Sequence, residues 1–214
     1  MVLWLLSYLL GSISSAILIC RIFGLPDPRT SGSRNPGTTN VLRVGGKLAA
    51  AATLLGDVAK GIAPILIATE LNAPPIVIVF CGLCAFLGHL YPIYFDFRGG
   101  KGVATAIGVA LALHWPAGLL IVATWAGTLA ITRTASKAAL VSGVAAPIYF
   151  YLTTPSVLQD SYPPVIAIMS LLLIGSHHKN ILNLYRGDEY RFEDSDKGNT
   201  GGLETPAEQK KPED

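Results

Sequence analysis

The sequence predicts an all-α integral membrane protein of seven transmembrane helices, with the N-terminus outside and the C-terminus in the cytoplasm. Three observations carry that prediction. Of the 214 residues, 51% are hydrophobic and only 14% charged, against about a quarter charged in a soluble domain. Several apolar stretches approach the roughly 20 residues that cross a hydrocarbon core of about 30 Å. Once those stretches are threaded through a bilayer, every Lys and Arg except Lys60 falls on one side, the side the positive-inside rule makes cytoplasmic.

The first apolar run, 2–22, lacks the basic flank of a signal peptide and is expected to stay as the first helix. The second, 47–70, carries Asp57 and Lys60 three positions apart beside Gly56 and Gly61. Ionisable groups at that depth face a bundle interior, usually in pairs; a structural polar pair bracing a site and direct contact with a ligand both fit. The third, 75–91, holds Cys81 and Cys84, which with Cys20 read as reduced apolar thiols, since no second pair or His cluster completes a metal site. The fourth, 103–114, is short and is expected to tilt or to pack inside the bundle. Spans over 116–132, 137–152 and 163–178 follow.

The break at His114-Trp115-Pro116 sets the count, because one long helix over 103–132 leaves six spans. Charge decides for seven. The inner connections then hold Arg21, Arg29, Arg34, Arg43 and Lys47, then Arg98 and Lys101, then Arg133 and Lys137, and the basic tail from Lys179 onward. The outer segments hold no Lys or Arg at all. Residues 1–193 form one membrane domain, and 194–214, polar and without apolar periodicity, read as a disordered, linker-like tail. No internal repeat suggests an inverted-repeat transporter.

Three inner segments concentrate chemistry. Ser31-Gly32-Ser33-Arg34-Asn35-Pro36-Gly37-Thr38-Thr39-Asn40, followed by Arg43, surrounds an Asn-Pro-Gly turn with hydroxyls, amides and guanidinium groups, the donor set for phosphate oxygens. Gly88-His89 leads through Arg98-Gly99-Gly100-Lys101-Gly102 into the fourth span. Backbone N–H groups there can converge on an anion at a helix N-terminus, with Lys101 adding charge, although a flexible turn also fits. It is not a Walker A loop: Gly102 stands where Ser or Thr is needed and Phe95 where the first glycine belongs. The third segment, Ser176-His177-His178-Lys179-Asn180-Ile181, puts His177 and Asn180 on one helix face and sends the two histidines in different directions.

Taken together, these residues resemble the bacterial membrane glycerol-3-phosphate acyltransferases that use acyl phosphate. The resemblance covers the chain to about Phe192. It rests on Gly32-Ser33, Asn35-Pro36-Gly37 and Thr39-Asn40; on Gly88-His89 and Gly99-Gly100-Lys101-Gly102; and on His177, Asn180-Ile181 and Gly187-x-Glu189. His178 departs from the family pattern, which has Arg there. The resemblance implies transfer of a fatty acyl group from acyl phosphate to the sn-1 hydroxyl of glycerol 3-phosphate, giving lysophosphatidic acid and phosphate, at the cytoplasmic face of the inner membrane. It implies two substrates and membrane lipid as partners, and no cofactor, metal or nucleic acid.

The chemistry fits those positions. A mixed anhydride carries its own leaving group, so what is needed is two repelling phosphates held together and a hydroxyl aimed at a carbonyl. Ser33, Asn35 and Arg43 are expected to hold the glycerol phosphate, with Thr38 and Asn40 also binding substrate, and His177 and Asn180 to complete the pocket. Lys101, Gly99 and Gly100 are expected to neutralise the acyl phosphate. His177 and a substrate phosphate oxygen both stand as the base, and Ser33 as a covalent nucleophile needs an adjacent base. A His-x-x-x-x-Asp mechanism is excluded, since no histidine has Asp at that spacing, and Asp57 with Asp96 is too thin a set for a metal-dependent phosphatidyltransferase. A carrier for a phosphorylated metabolite is the rival, but its outer loops would want polar groups that are missing here. A structural subunit leaves the glycine and Asn-Pro-Gly clusters unexplained.

Overall fold

The computed structural model describes residues 1–190, and the expected tail over 194–214 lies outside them. The described chain is helical, without strands. The first apolar run forms two helices, α1 (Val2–Gly11) and α2 (Ser15–Ile22), bent by 42°. Ser14 makes the break: its Oγ caps α2 by accepting from Ile17 N–H at 3.5 Å. Gly11 lies directly on the Ala85 backbone and Gly88 on the backbone of Tyr8 to Ser12. Small residues thereby bring α1 and α4 (Pro75–Leu90) into backbone contact, the packing that membrane helices favour.

The helix α3 (Thr38–Glu70) is interrupted at Gly46, whose φ of 78° and ψ of −175° only glycine adopts readily. A short arm over 38–45 therefore precedes the apolar run that begins at 47. After α4 a 3₁₀ turn, Ile93–Phe95, leads to α5 (Val103–Leu113). Eleven residues rise only about 16 Å, too little to cross a bilayer unaided. The short helix is instead packed on α3, with Gly61 against the Thr105 carbonyl and Gly108 against that of Val58. His114, extended at φ −155°, separates α5 from α6 (Trp115–Thr132). The chain over 103–132 is thus two helices.

The remaining elements are α7 (Ala135–Thr153), a 3₁₀ turn at Ser156–Leu158, α8 (Tyr162–Ser176) and α9 (His178–Arg186). The last is bent by 54° from α8 and ends at Gly187, left-handed at φ 81°, as a C-terminal cap requires. Four helices, α3, α4 with its 3₁₀ turn, α6 and α7, are long and apolar enough to span a membrane, and six if each bent pair is one span. The short α5 is additional to these.

Phe86, Phe150, Val79 and Val109 are fully buried in a core shared by α4, α5, α7 and α8. The spanning window of α4 is 61% buried and that of α6 only 17%, so α4 is the central helix and α6 an outer one. Leu119, Leu120 and Ile131 on α6 and Val141, Val144 and Ile148 on α7 lie exposed, a large apolar surface that suits lipid.

Candidate active site

The basic connections gather at one end of this bundle. Asn40, in the first turn of α3 and 1% exposed, fastens the loop before it. Its Oδ1 accepts from Ser33 N–H at 2.8 Å, and its Nδ2 donates to Pro28 O at 2.9 Å and Ser31 O at 3.0 Å. Arg29 forks onto Asp27, with Nη2 2.8 Å from Oδ2, and that bond holds the Asp27 carboxyl below its ordinary range. Its other nitrogen reaches Asp96 across the loop gap at 3.7 Å. Among the described residues, the Ser33 hydroxyl and the Asn35 side chain make no hydrogen bond. Thr38 Oγ1, at the start of α3, is buried without a partner, an unsatisfied oxygen beside the free N–H groups of a helix start.

The glycine turn after α4 folds back on the helix it leaves. Gly100 N–H donates to His89 O at 3.2 Å. A Cβ at Gly99 would meet the His89 and Leu90 carbonyls, and one at Gly100 would meet His89 Nε2 and, at 3.0 Å, Pro36 O. Only glycines allow this approach, and it seats the Asn-Pro-Gly loop against the Gly-Gly-Lys-Gly loop. Gly102, at φ 85°, then starts α5.

Lys101 is the hub. Its Nζ donates to Asn180 Oδ1 at 2.5 Å, and Asn180 Nδ2 donates to Glu189 Oε1 at 2.7 Å. Ser176 Oγ donates to Leu173 O at 2.6 Å and lies 3.2 Å from the Lys101 carbonyl. Burial pushes the ammonium below its ordinary pKa; Glu189 opposes that and the nearby Arg43 charge adds to it. Arg43, from the arm of α3, stacks 3.6 Å above the Tyr190 ring.

His177 sits at the α8–α9 bend and is 2% exposed. Its Nδ1 lies 2.8 Å from Leu173 O. A carbonyl only accepts, so Nδ1 carries the hydrogen and Nε2 presents the lone pair. His178 is exposed and turns back to Gly175 O at 3.1 Å, so adjacent histidines do face apart.

Asp57 and Lys60 form the expected buried pair, 2.9 Å apart. Lys60 also donates to Ile13 O at the α1–α2 break, at 2.8 Å.

Two cavities flank the cluster. An apolar cleft between α5, α6, α7 and α8 is lined by Val103, Ile107, Ile121, Ala146, Met169 and Leu173. It starts two residues beyond Lys101 and includes the residue whose carbonyl holds His177. A polar cavity lies between Thr134 and Lys137 on one side and Leu184, Gly187 and Glu189 on the other.

Lys101, Asn180, His177 and Arg43 thus come together from three segments, and Gly100 seats the Pro36 loop of the first of them against the glycine turn. Ser33 and Asn35 belong to that same pinned loop. Glu189, Ser176 and Tyr190 join the network although the sequence reading gave them no role. The signal for Glu189 was its place two residues after the capping Gly187; Tyr190 and Ser176 had none beyond adjacency.

A family model described as glycerol-3-phosphate acyltransferase matches residues 1–187. The chain belongs to the glycerol-3-phosphate acyltransferase family. A family member from Methylococcus capsulatus is 50% identical over 194 residues, covering 88% of this chain and 96% of its own. One from Proteus mirabilis is 49% identical over 186 residues, covering 87% and 83%. Among solved structures, the glycerol 3-phosphate form of PlsY (YgiH), an integral membrane glycerol 3-phosphate acyltransferase, superposes with a TM-score of 0.82 at 35% identity, covering 89% of this chain and 94% of that one. The lysophosphatidic acid form of the same enzyme gives a TM-score of 0.81 at 34% identity, with the same coverage. Family membership makes this chain an integral membrane protein of the acyltransferase class that serves phospholipid synthesis.

Proposed function

We propose that this protein transfers a fatty acyl group from acyl phosphate to the sn-1 hydroxyl of glycerol 3-phosphate. The hydroxyl oxygen attacks the acyl carbonyl carbon, and the bond from that carbon to the phosphate oxygen breaks. Inorganic phosphate leaves with the electron pair, and lysophosphatidic acid remains. The observation that carries this reading is the position of Lys101, bonded among the polar loops and two residues before Val103, which lines the apolar cleft. An anion with a long apolar tail needs both at once, and acyl phosphate is such a molecule.

Lys101 with the Gly99 amide neutralises the donor phosphate and the oxyanion that forms at the carbonyl; the Gly100 N–H, expected to share that work, is given to His89 O. Arg43, Ser33, Asn35 and the unpaired Thr38 hydroxyl, near the start of α3, hold the glycerol phosphate. Asn40 acts there through the loop it pins. Asn180, held by Glu189, sets the direction of the Lys101 ammonium. His177 Nε2 takes the hydroxyl proton, or orients the hydroxyl while a phosphate oxygen takes it. Direct transfer suits the site better than a Ser33 intermediate, because no base touches the Ser33 hydroxyl among the described residues.

Seven spans with the basic loops in the cytoplasm complete the reading. The short α5 counts as the fourth, shielded by α3, and the site faces the cytoplasmic side of the inner membrane. Purified protein given acyl phosphate and labelled glycerol 3-phosphate tests it. Lysophosphatidic acid formed in detergent supports the enzyme, whereas uptake of label into vesicles without product would establish a carrier instead.

A further inference from the structure

The helix α9 turns its polar side to the protein and its apolar side outward. None of its nine residues is buried. Asn180 and Leu184, four positions apart, share the half-buried face that meets the bundle, and from it Asn180 reaches Lys101 and Glu189. On the opposite face Ile181, Leu182 and Tyr185 are 40%, 52% and 92% exposed. Lys179 and Arg186, seven positions apart, line one flank of that face. Both are exposed, and among the described residues neither side chain has an ion pair or hydrogen bond.

Depth, continuity and charge say what covers this face. The fifteen residues of α8 rise about 22 Å, less than the roughly 30 Å of a hydrocarbon core, so α9 begins within reach of the boundary between acyl chains and headgroups. Ile168, Leu171 and Gly175 form an exposed stripe on α8, as a lipid-facing side does. The same spacing of three and four leads through His178, across the 54° bend, to Leu182 and Tyr185. The apolar face of α9 therefore extends the lipid-facing stripe onto a helix that departs from the direction of the span. Cations flanking such a face, with an aromatic ring on it, are the make-up of a helix lying on anionic lipid. A soluble protein partner would suit the apolar residues but leaves their alignment with the α8 stripe unexplained.

We propose that α9 is docked on the membrane surface, with Ile181, Leu182 and Tyr185 at the acyl boundary and Lys179 and Arg186 on anionic headgroups, and that lipid charge thereby tunes acyl transfer. The link is Asn180. Drawing the outer face of α9 onto the membrane steadies the inner face that holds the Lys101 ammonium, so anionic lipid raises kcat/KM. The tuning rests on the acyl-transfer reading; the docking does not.

The test places the full chain in nanodiscs of phosphatidylcholine, alone or mixed with phosphatidylglycerol. Amide hydrogen exchange over 178–186 is followed in the parent, in Lys179→Gln/Arg186→Gln and in Leu182→Asn/Tyr185→Ser. In the parent, exchange is expected to be at least about fivefold slower with the anionic lipid, and added salt to remove the difference. The charge variant should exchange equally in the two lipids, and the apolar variant faster than the parent in both. The gain in kcat/KM on adding anionic lipid is expected to be at least about threefold larger in the parent than in the charge variant. That comparison cancels the repulsion of anionic substrates by the membrane itself. Parental exchange that ignores lipid charge overturns the docking. So does an apolar variant that exchanges like the parent while a dimer becomes a monomer, since the face then serves a second copy. Should the apolar variant not fold, the charge variant decides the docking alone. Equal gains in parent and charge variant overturn the tuning. If no lipid supports product formation, the acyl-transfer reading fails and the exchange measurement still decides the docking.

Discussion

Lys101 Nζ donates to Asn180 Oδ1, so the residue after the glycine turn is tied to the first turn of α9, 79 positions along the chain. Asn180 is held in turn by Glu189, which orients the amide with its oxygen toward the ammonium. The bond spends one of the three Lys101 protons and leaves two for an anion.

Replacing Lys101 with Ala or Met is expected to lower kcat/KM by at least about a hundredfold, the usual effect of removing a positioned charge from a site of developing anion. The melting temperature should barely move, since the burial of this ammonium opposes its charge. Steady-state assays beside thermal unfolding check both halves.

Arg43→Ala is expected to cost a similar factor, at least about a hundredfold, and to fall mainly on the glycerol 3-phosphate side. Arg43→Lys keeps the charge but loses the planar fork and the stacking on Tyr190, so it should recover only part. Separate KM values for the two substrates distinguish the roles of Arg43 and Lys101.

The pH profile has a definite sign. Lys101 binds anions only when protonated, and burial lowers its pKa. Affinity for acyl phosphate should therefore be full at neutral pH and fall as pH rises, with a midpoint below that of a free lysine. A bound phosphate moves the midpoint up. Lys101→Arg, which stays charged, should flatten the alkaline limb whatever its rate. KM measured from neutral to alkaline pH in the two proteins tests this.

His177→Ala is expected to lower kcat by about 10² to 10⁴, the range for losing a general base. The loss should be near the low end if a phosphate oxygen takes the proton and the imidazole only orients the hydroxyl. His178→Ala, an exposed position at the same bend, should retain activity.

Gly46→Ala tests the hinge in α3. Nothing lies near enough to clash with a methyl group there, so the whole cost is backbone strain at φ 78°, about 1 to 3 kcal/mol. Stability should fall by that amount, read as a lower melting temperature. The arm that carries Arg43 should be misdirected with it.

Much of this was legible in the residues. The His114 break, the short α5 packed inside the bundle and the buried Asp57–Lys60 pair follow from apolar length and the cost of burying charge. The three polar segments announced their donors. What the residues could not reveal was how those donors are divided. Asn40 and Ser33 look alike as candidates, yet the Asn40 amide is used on its own loop while the Ser33 hydroxyl stays free. The α1–α2 bend was hidden inside a long apolar run, where Ser12, Ser14 and Ser15 are equally good capping candidates and only Ser14 caps. The α8–α9 bend was hidden because α9 is only nine residues long and follows α8 without a proline or glycine between them. His89 became visible only when its neighbours across space were known, since nothing in Gly88-His89 says that Gly100 will rest on it.

The most direct test measures phosphate release and lysophosphatidic acid formation together, from acyl phosphate and glycerol 3-phosphate, with purified protein in detergent and acyl-CoA as the parallel donor. The account predicts one phosphate per lysophosphatidic acid, dependence on both substrates, and no product from acyl-CoA. Product from acyl-CoA with acyl phosphate inert, or a stoichiometric burst of phosphate from acyl phosphate in the absence of glycerol 3-phosphate, would contradict it.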